Sequence, residues 1–239
     1  MIKEIITDET LLAERCDEVD IRKENELVRE ITLNLKETLR EHKNGIGLAA
    51  PQIGYNKRIF VINFNGDLRT FINPIISEAT NLTLNREGCL SFPGREFIRP
   101  RHTKITVIYQ TPLGKTESRQ MFGVAACVFQ HELDHLDGLT LADVGLEVGK
   151  EFDEATEEER DQVLQAYLDS LDLKAKEMEK AIEEDPDLKQ QASAIKFMEK
   201  LQKGEIEVEV EKATEEQNKA INKKINEVLD AEKAKKDEE

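Results

Sequence analysis

The sequence predicts an α+β domain: mostly antiparallel strands around one central helix bearing a His-Glu-x-x-His turn, followed by an acidic, largely helical C-terminal extension. Three observations lead there. Runs rich in Ile, Phe, Val and Thr recur at 58–63, 70–73, 104–110 and 116–122, with no helical pattern between them. An apolar stretch, Val124-Ala125-Ala126-Cys127-Val128-Phe129, leads into Gln130-His131-Glu132-Leu133-Asp134-His135-Leu136. Composition then changes near residue 150. Residues 1–150 carry 19 Lys+Arg against 22 Asp+Glu, whereas residues 151–239 carry 15 against 28. The first part also holds all four His, all three Cys and every Gly except Gly204, so the chemistry is expected there.

Taken in order, residues 24–43 read as an amphipathic helix with Leu27, Val28, Ile31, Leu35 and Leu39 at helical spacing. The run Gly45-Ile46-Gly47-Leu48-Ala49-Ala50-Pro51-Gln52-Ile53-Gly54 reads as a turn into the first strand. Its small residues would also let a backbone approach a ligand closely. The strand at 70–73 is expected to stop ahead of Pro74. Thr111-Pro112-Leu113-Gly114 should close a hairpin between 104–110 and 116–122. The histidine helix should start near Gly123 and end at Gly138, a natural C-terminal glycine.

Past residue 150, Thr156-Glu157-Glu158-Glu159 is a capping box ahead of a helix with Val163, Leu164, Tyr167, Leu168 and Leu171 on one face. A second helix is expected from Asp185-Pro186, a short strand at Glu205–Glu211, and a third helix after Thr214-Glu215-Glu216-Gln217.

The net charge of −16 opposes nonspecific association with nucleic acid or anionic membranes. No apolar run approaches the length of a membrane span, and Met1-Ile2-Lys3-Glu4 lacks a signal-peptide pattern. Three irregularly spaced cysteines make no disulfide framework, which fits a reducing, cytoplasmic setting.

His131 and His135 are four apart, so on a helix they project from one face and can chelate a divalent metal. Glu132 beside them can reach a water at the metal without being a ligand, giving two ligands and a general base from one turn. A third ligand is needed. Cys127 is excluded: eight helical residues put it roughly 12 Å from His135 along the axis, so it reads as a core residue. A third histidine at metzincin spacing would fall on Leu141. His42 sits at the polar end of a helix and His102 lies among Arg99, Arg101 and Lys104, so both read as surface residues. A glutamate from the tail remains open, as in thermolysin-like sites. Cys89, in Glu87-Gly88-Cys89-Leu90-Ser91, could be a ligand, a core residue or a nucleophile.

Three separated stretches settle on a family. Gly45–Gln52 reads GxGLAAxQ, Glu87–Ser91 reads EGCLS, and Gln130–Leu136 reads QHExDHL. In that order and without a mismatch they resemble the peptide deformylases, over roughly residues 1–145. The resemblance implies that Cys89, His131 and His135 hold one divalent ion. Ferrous iron is the family's usual metal, with Zn2+, Ni2+ or Co2+ able to take its place. It also implies that Glu132 is the general base, and that the Gln52 side-chain amide and the Leu90 backbone N–H receive the oxyanion. Gly45 and Gly47 would let the loop lie beside the substrate. Ile46, Val124 and Val128 would form a slot for a methionine side chain, with plain core packing as the alternative reading.

The implied substrates are N-formylmethionyl nascent peptides in the cytoplasm of a bacterial or phage-infected cell. Glu87 would steady the loop or the metal shell, and Arg101 is expected to support structure. The acidic helix around 156–173 opposes contact with ribosomal RNA, although a ribosome-proximal position is compatible with the substrates. Two other functions use the same features. A metallopeptidase built on HExxH would not need Cys89, and an adaptor would act through the acidic tail.

Overall fold

The computed structural model describes residues 1–184, with side chains through residue 171. The expected elements at Asp185-Pro186, Glu205–Glu211 and Thr214–Gln217 lie outside the described residues.

A short helix α1 (Glu9–Leu12) is followed by the amphipathic helix α2 (Asn25–Glu41), as its apolar spacing requires. The glycine-rich run is more structured than a turn. It forms a short strand β1 (Gly47–Ala49) and then a 3-10 helix over Ala50–Ile53, with Pro51 in its first turn and Gly54 closing it at φ 85°. Then come β2 (Ile59–Phe64), β3 (Asp67–Cys89), β4 (Phe92–Gln110) and β5 (Thr116–Phe122). The histidine helix is α3 (Val124–Leu136). A helical turn α4 (Leu141–Val144), strand β6 (Leu146–Val148) and helix α5 (Lys150–Glu154) precede α6 (Glu157–Glu184).

The strands form one antiparallel sheet in the order β1-β2-β3-β4-β5, with β6 added to β4. The expected hairpin is present between β4 and β5, from Gln110↔Thr116 to Lys104↔Phe122. β3 does not stop ahead of Pro74. It continues because a register shift between Ile72 and Ile75 makes room for a residue that cannot donate to the ladder. Asn73 takes the left-handed conformation there (φ 47°) and is tied by side-chain bonds to Val19 O and Gln110 Oε1.

β2 is buried on both faces. Ile59 and Val61 meet Val28, Ile31, Leu35 and Leu39 of α2, while Phe60 and Ile62 meet Ala126, Phe129 and Leu136 of α3. Phe60, Phe71 and Phe129 form the centre, with ring centroids 5.0 to 5.3 Å apart. Each fully buried side chain of this kind contributes roughly 1.5–3 kcal/mol. The sheet is therefore clamped between two helices, and α3 is the one held against its aromatic centre.

The C-terminal end of α3 is anchored as well. Leu136 O accepts from both Cys16 N (2.9 Å) and Arg58 (3.1 Å), and Gly138 follows at φ 72°. A Cβ on Gly138 would stand 2.5 Å from Ala13 O, so the glycine serves the incoming N-terminal segment as well as the helix end. The capping box at α6 forms as expected: Glu159 N donates to Thr156 Oγ1 and Thr156 N to Glu159 Oε2. On the face singled out in the sequence, Leu164, Tyr167, Leu168 and Leu171 are half-buried, while Val163 is exposed. Tyr167 donates its hydroxyl to Val144 O at 2.6 Å. No described helix is long and apolar enough to cross a membrane.

Candidate metal centre and active-site cleft

β3 and β4 pair down to Cys89↔Phe92, leaving Leu90–Ser91 as the tip of their hairpin. This tip brings Cys89 to the largely buried face of α3 on which one helical turn separates His131 and His135 (ring centroids 5.2 Å apart). Cys89 Sγ lies 3.3 Å from His135 Nε2, and ligand atoms of all three residues lie within 4.8 Å of one another. Bonds of about 2.0–2.3 Å at tetrahedral angles put neighbouring sulfur and nitrogen ligands about 3.5 Å apart, so the donor set fits a single zinc- or iron-type ion.

The surroundings orient these donors. His131 Nδ1 is engaged by Glu87 Oε2 at 2.9 Å, which leaves Nε2 for the centre. Glu87 in turn accepts two bonds from Arg101 (2.7 and 2.9 Å), and Arg101 donates a third to Asp134 on α3 at 2.6 Å. Burial works against ionised Glu87, but the Arg101 guanidinium and His131 hold its carboxyl down at about 2. Burial also works against a charged His131, yet Cys89 and Glu87 raise it well above the usual imidazole range. Burial, with repulsion from His131 and Arg101, lowers His135 well below that range.

Gln52 is fixed at the other wall. Its Oε1 accepts from Ala49 N at 2.8 Å, so its amide nitrogen is turned inward, donating to Cys89 Sγ (3.4 Å) and Ser91 Oγ (3.2 Å). Glu132 is 3 % exposed, Oε2 has no hydrogen-bond partner among the described residues, and burial pushes the carboxyl up to about 7. Gly47 lies directly against it. A Cβ there would clash with Glu132 Oε1 and stand 2.7 Å from its Cδ.

A cleft of about 830 Å³ opens over these groups, lined among others by Ile46, Gly47, Leu90, Val124, Val128 and His131. Ile46 and Val124 are 45 % and 67 % exposed, and Val128 is half-buried, so the first two are not core residues. Gly45 also lines the cleft, wedged so that a Cβ would meet Leu39 Cδ1 at 2.7 Å.

Cys127 is buried and its thiol is pushed up by burial; it lines the cleft without joining the three ligand atoms. His42 and His102 are half-buried rather than fully exposed, because the first sits on the cleft rim and the second has Nδ1 enclosed without a partner. Neither belongs to the cluster. Sequence reasoning missed the Arg101–Glu87–His131 chain as a connected unit. The signal was the alternation Phe97, Arg99, Arg101 along β4, which places both arginines on the face that meets α3. It also missed Arg95 as a clasp: this residue pairs with Glu147 of β6 and Glu9 of α1 and covers the rings of Phe92 and Phe97.

A pair of helix-borne imidazoles beside one strand-borne thiol, with an acid buried next to them, is a donor group that could hold a metal ion, as in metalloenzymes. The profile of the Polypeptide deformylase family matches residues 2–149. The peptide deformylase of Dictyoglomus thermophilum is 39 % identical over 127 residues, spanning 53 % of this chain and 82 % of that protein. That of Fusobacterium nucleatum is 42 % identical over 135 residues, spanning 55 % and 76 %. The crystal structure of the Thermotoga maritima peptide deformylase superposes with a TM-score of 0.56 at 35 % identity, covering 60 % of this chain and 97 % of that one. A probable peptide deformylase from synechococcus phage S-SSM7 gives 0.53 at 34 % identity, covering 60 % and 97 %. The chain belongs to the polypeptide deformylase family, a family of metalloenzymes, and has its fold of antiparallel sheet and helices.

Proposed function

We propose that the chain removes the N-formyl group from the N-terminal formyl-methionine of newly made polypeptides, with water as co-substrate and formate and a free amine as products. The observation that carries this reading is the convergence of Cys89, His131 and His135 at a cleft that Cys89 and His131 line together with Glu132 and Gln52. Cys89, His131 and His135 would hold one divalent ion, ferrous iron first among those that suit one thiolate and two imidazoles, and such an ion supplies Lewis acidity.

Glu132 takes the proton from the attacking water and returns it to the departing amine, a role served by a carboxyl held near neutrality by burial. The Gln52 amide and the Leu90 N–H donate to the oxyanion that forms on the formyl carbon. Ile46, Val124 and Val128 receive the methionine side chain. The absence of side chains at Gly45 and Gly47 keeps that wall close. Residues 1–150 act as the catalytic domain, and residues 151–239 are an acidic extension for which no strong nucleic-acid binding is expected. The family's cytoplasmic, ribosome-proximal substrates are compatible with this.

Anaerobically prepared protein is expected to release formate from a formyl-Met tripeptide. A chelator should abolish release, and added Fe2+ should restore it. Absence of formate, or release that ignores the chelator, overturns the reading. Gly47→Ala is expected to push the Glu132 carboxylate aside. A displacement of about 1 Å can cost about 10²-fold, so kcat for formate release should fall by about that factor while metal content stays at one per chain.

A further inference from the structure

β3 has two edges, and only one is covered along its length. β4 pairs it from Ile72 to Cys89, whereas β2 covers the other edge only from Asp67 to Ile72. From Ile75 to Gly88 that second edge has no strand partner among the described residues. An open edge presents unpaired N–H and C=O groups, and proteins usually guard one with charge or proline. Here Thr80-Asn81-Leu82-Thr83-Leu84-Asn85 carries neither. Glu78 to Leu84 are all exposed, with Leu82 at 60 % and Leu84 at 41 %.

The same strand is continuous with the cleft. Asn85, Arg86, Glu87 and Gly88 line it, and β3 runs toward Cys89 at its inner end. Asn85–Gly88 form one wall of that cleft, so a peptide whose formyl end sits beside Cys89 and Gln52 has a route outward along the free edge, antiparallel to β3. At about 3.3 Å per residue, Leu84 lies roughly 17 Å and Leu82 roughly 23 Å from Cys89 along the strand. The track ends at Asn81, whose left-handed backbone (φ 60°) breaks the edge.

We propose that the free edge of β3 from Asn85 to Leu82 is an outer subsite for the substrate's own chain. It binds extended backbone around the fifth to seventh residues and favours apolar side chains at alternate positions, over Leu84 and Leu82. This rests on the deformylase reading. It adds a preference for length and pattern that the inner cleft alone does not supply.

The test compares three substrates on the metal-loaded full chain: a formyl-Met tripeptide, a formyl-Met octapeptide with Leu at positions five and seven, and that octapeptide N-methylated at residues five to seven. Cross-strand pairs add modestly each, so kcat/KM for the plain octapeptide should exceed that of the tripeptide by about three- to tenfold, through KM. N-methylation should remove the advantage. In the Leu82→Ser, Leu84→Ser variant the octapeptide-to-tripeptide ratio should fall to about one. A wild-type ratio near one, or an advantage that survives N-methylation or the double substitution, overturns the outer subsite while leaving deformylation intact. A concentration-dependent dimer that the double substitution abolishes, with no length effect, assigns the edge to a second copy and overturns it too. No formate from the tripeptide overturns the deformylase reading and the subsite with it.

Discussion

Glu132→Gln is expected to lower turnover by about 10²–10⁴-fold, the usual worth of a positioned acid–base group, while leaving metal bound. The geometry separates the two effects. His131 is oriented by Glu87 and not by Glu132, so the ligand set keeps its support when the neighbouring carboxyl becomes an amide. Glu132 is enclosed, with one oxygen lacking a partner among the described residues, an arrangement that costs stability, and burial pushes the carboxyl up to about 7. A neutral amide of the same shape relieves that cost. The expected signature is therefore turnover lost with thermal stability held or raised, checked by formate release, metal analysis and a melting curve on the same preparation. Turnover within tenfold of the wild type would sink the assignment of Glu132 as the base.

Much of this arrangement was legible in the sequence because its carriers are short-range. α2 shows its apolar face at helical spacing, and β5 and the turn before it stand as read, since an exposed hairpin is written locally. The His131–His135 turn is equally local. The long β3–β4 ribbon was not legible. Residues 78–84 are exposed on both faces, so they carry none of the alternation that half-burial imposes, and Pro74 hides a strand that continues through a bulge. The glycine-rich run gave its small residues but not its 3-10 helix, because Gln52 is held by Ala49 N and by the distant Cys89 and Ser91. Contacts between residues so far apart in the chain leave no periodic trace. Cys89 itself could be joined to the histidines only through the family motifs.

Arg101 shows how such long-range dependence acts on the centre. It is 2 % exposed, and it ties β4 to Glu87 with two bonds and to Asp134 on α3 with a third. Arg101→Leu removes every one of these and leaves Glu87 as a buried carboxylate without its cation. Breaking one partner of a buried pair typically costs about 3–5 kcal/mol, more than the packing of a leucine returns. Part of the loss would fall on the centre, because an unsupported Glu87 no longer fixes the His131 ring. Loss of such support typically weakens metal binding by about 10–100-fold. The expected result is a lower unfolding free energy in urea together with weaker metal retention in chelator competition, measured below the melting range of the variant. Arg101→Lys restores the charge but not the two-pronged contact to Glu87, so it should recover more of the stability than of the metal affinity. A variant that is merely less stable, with its metal affinity unchanged, would show that the strap holds the fold and not the ligand.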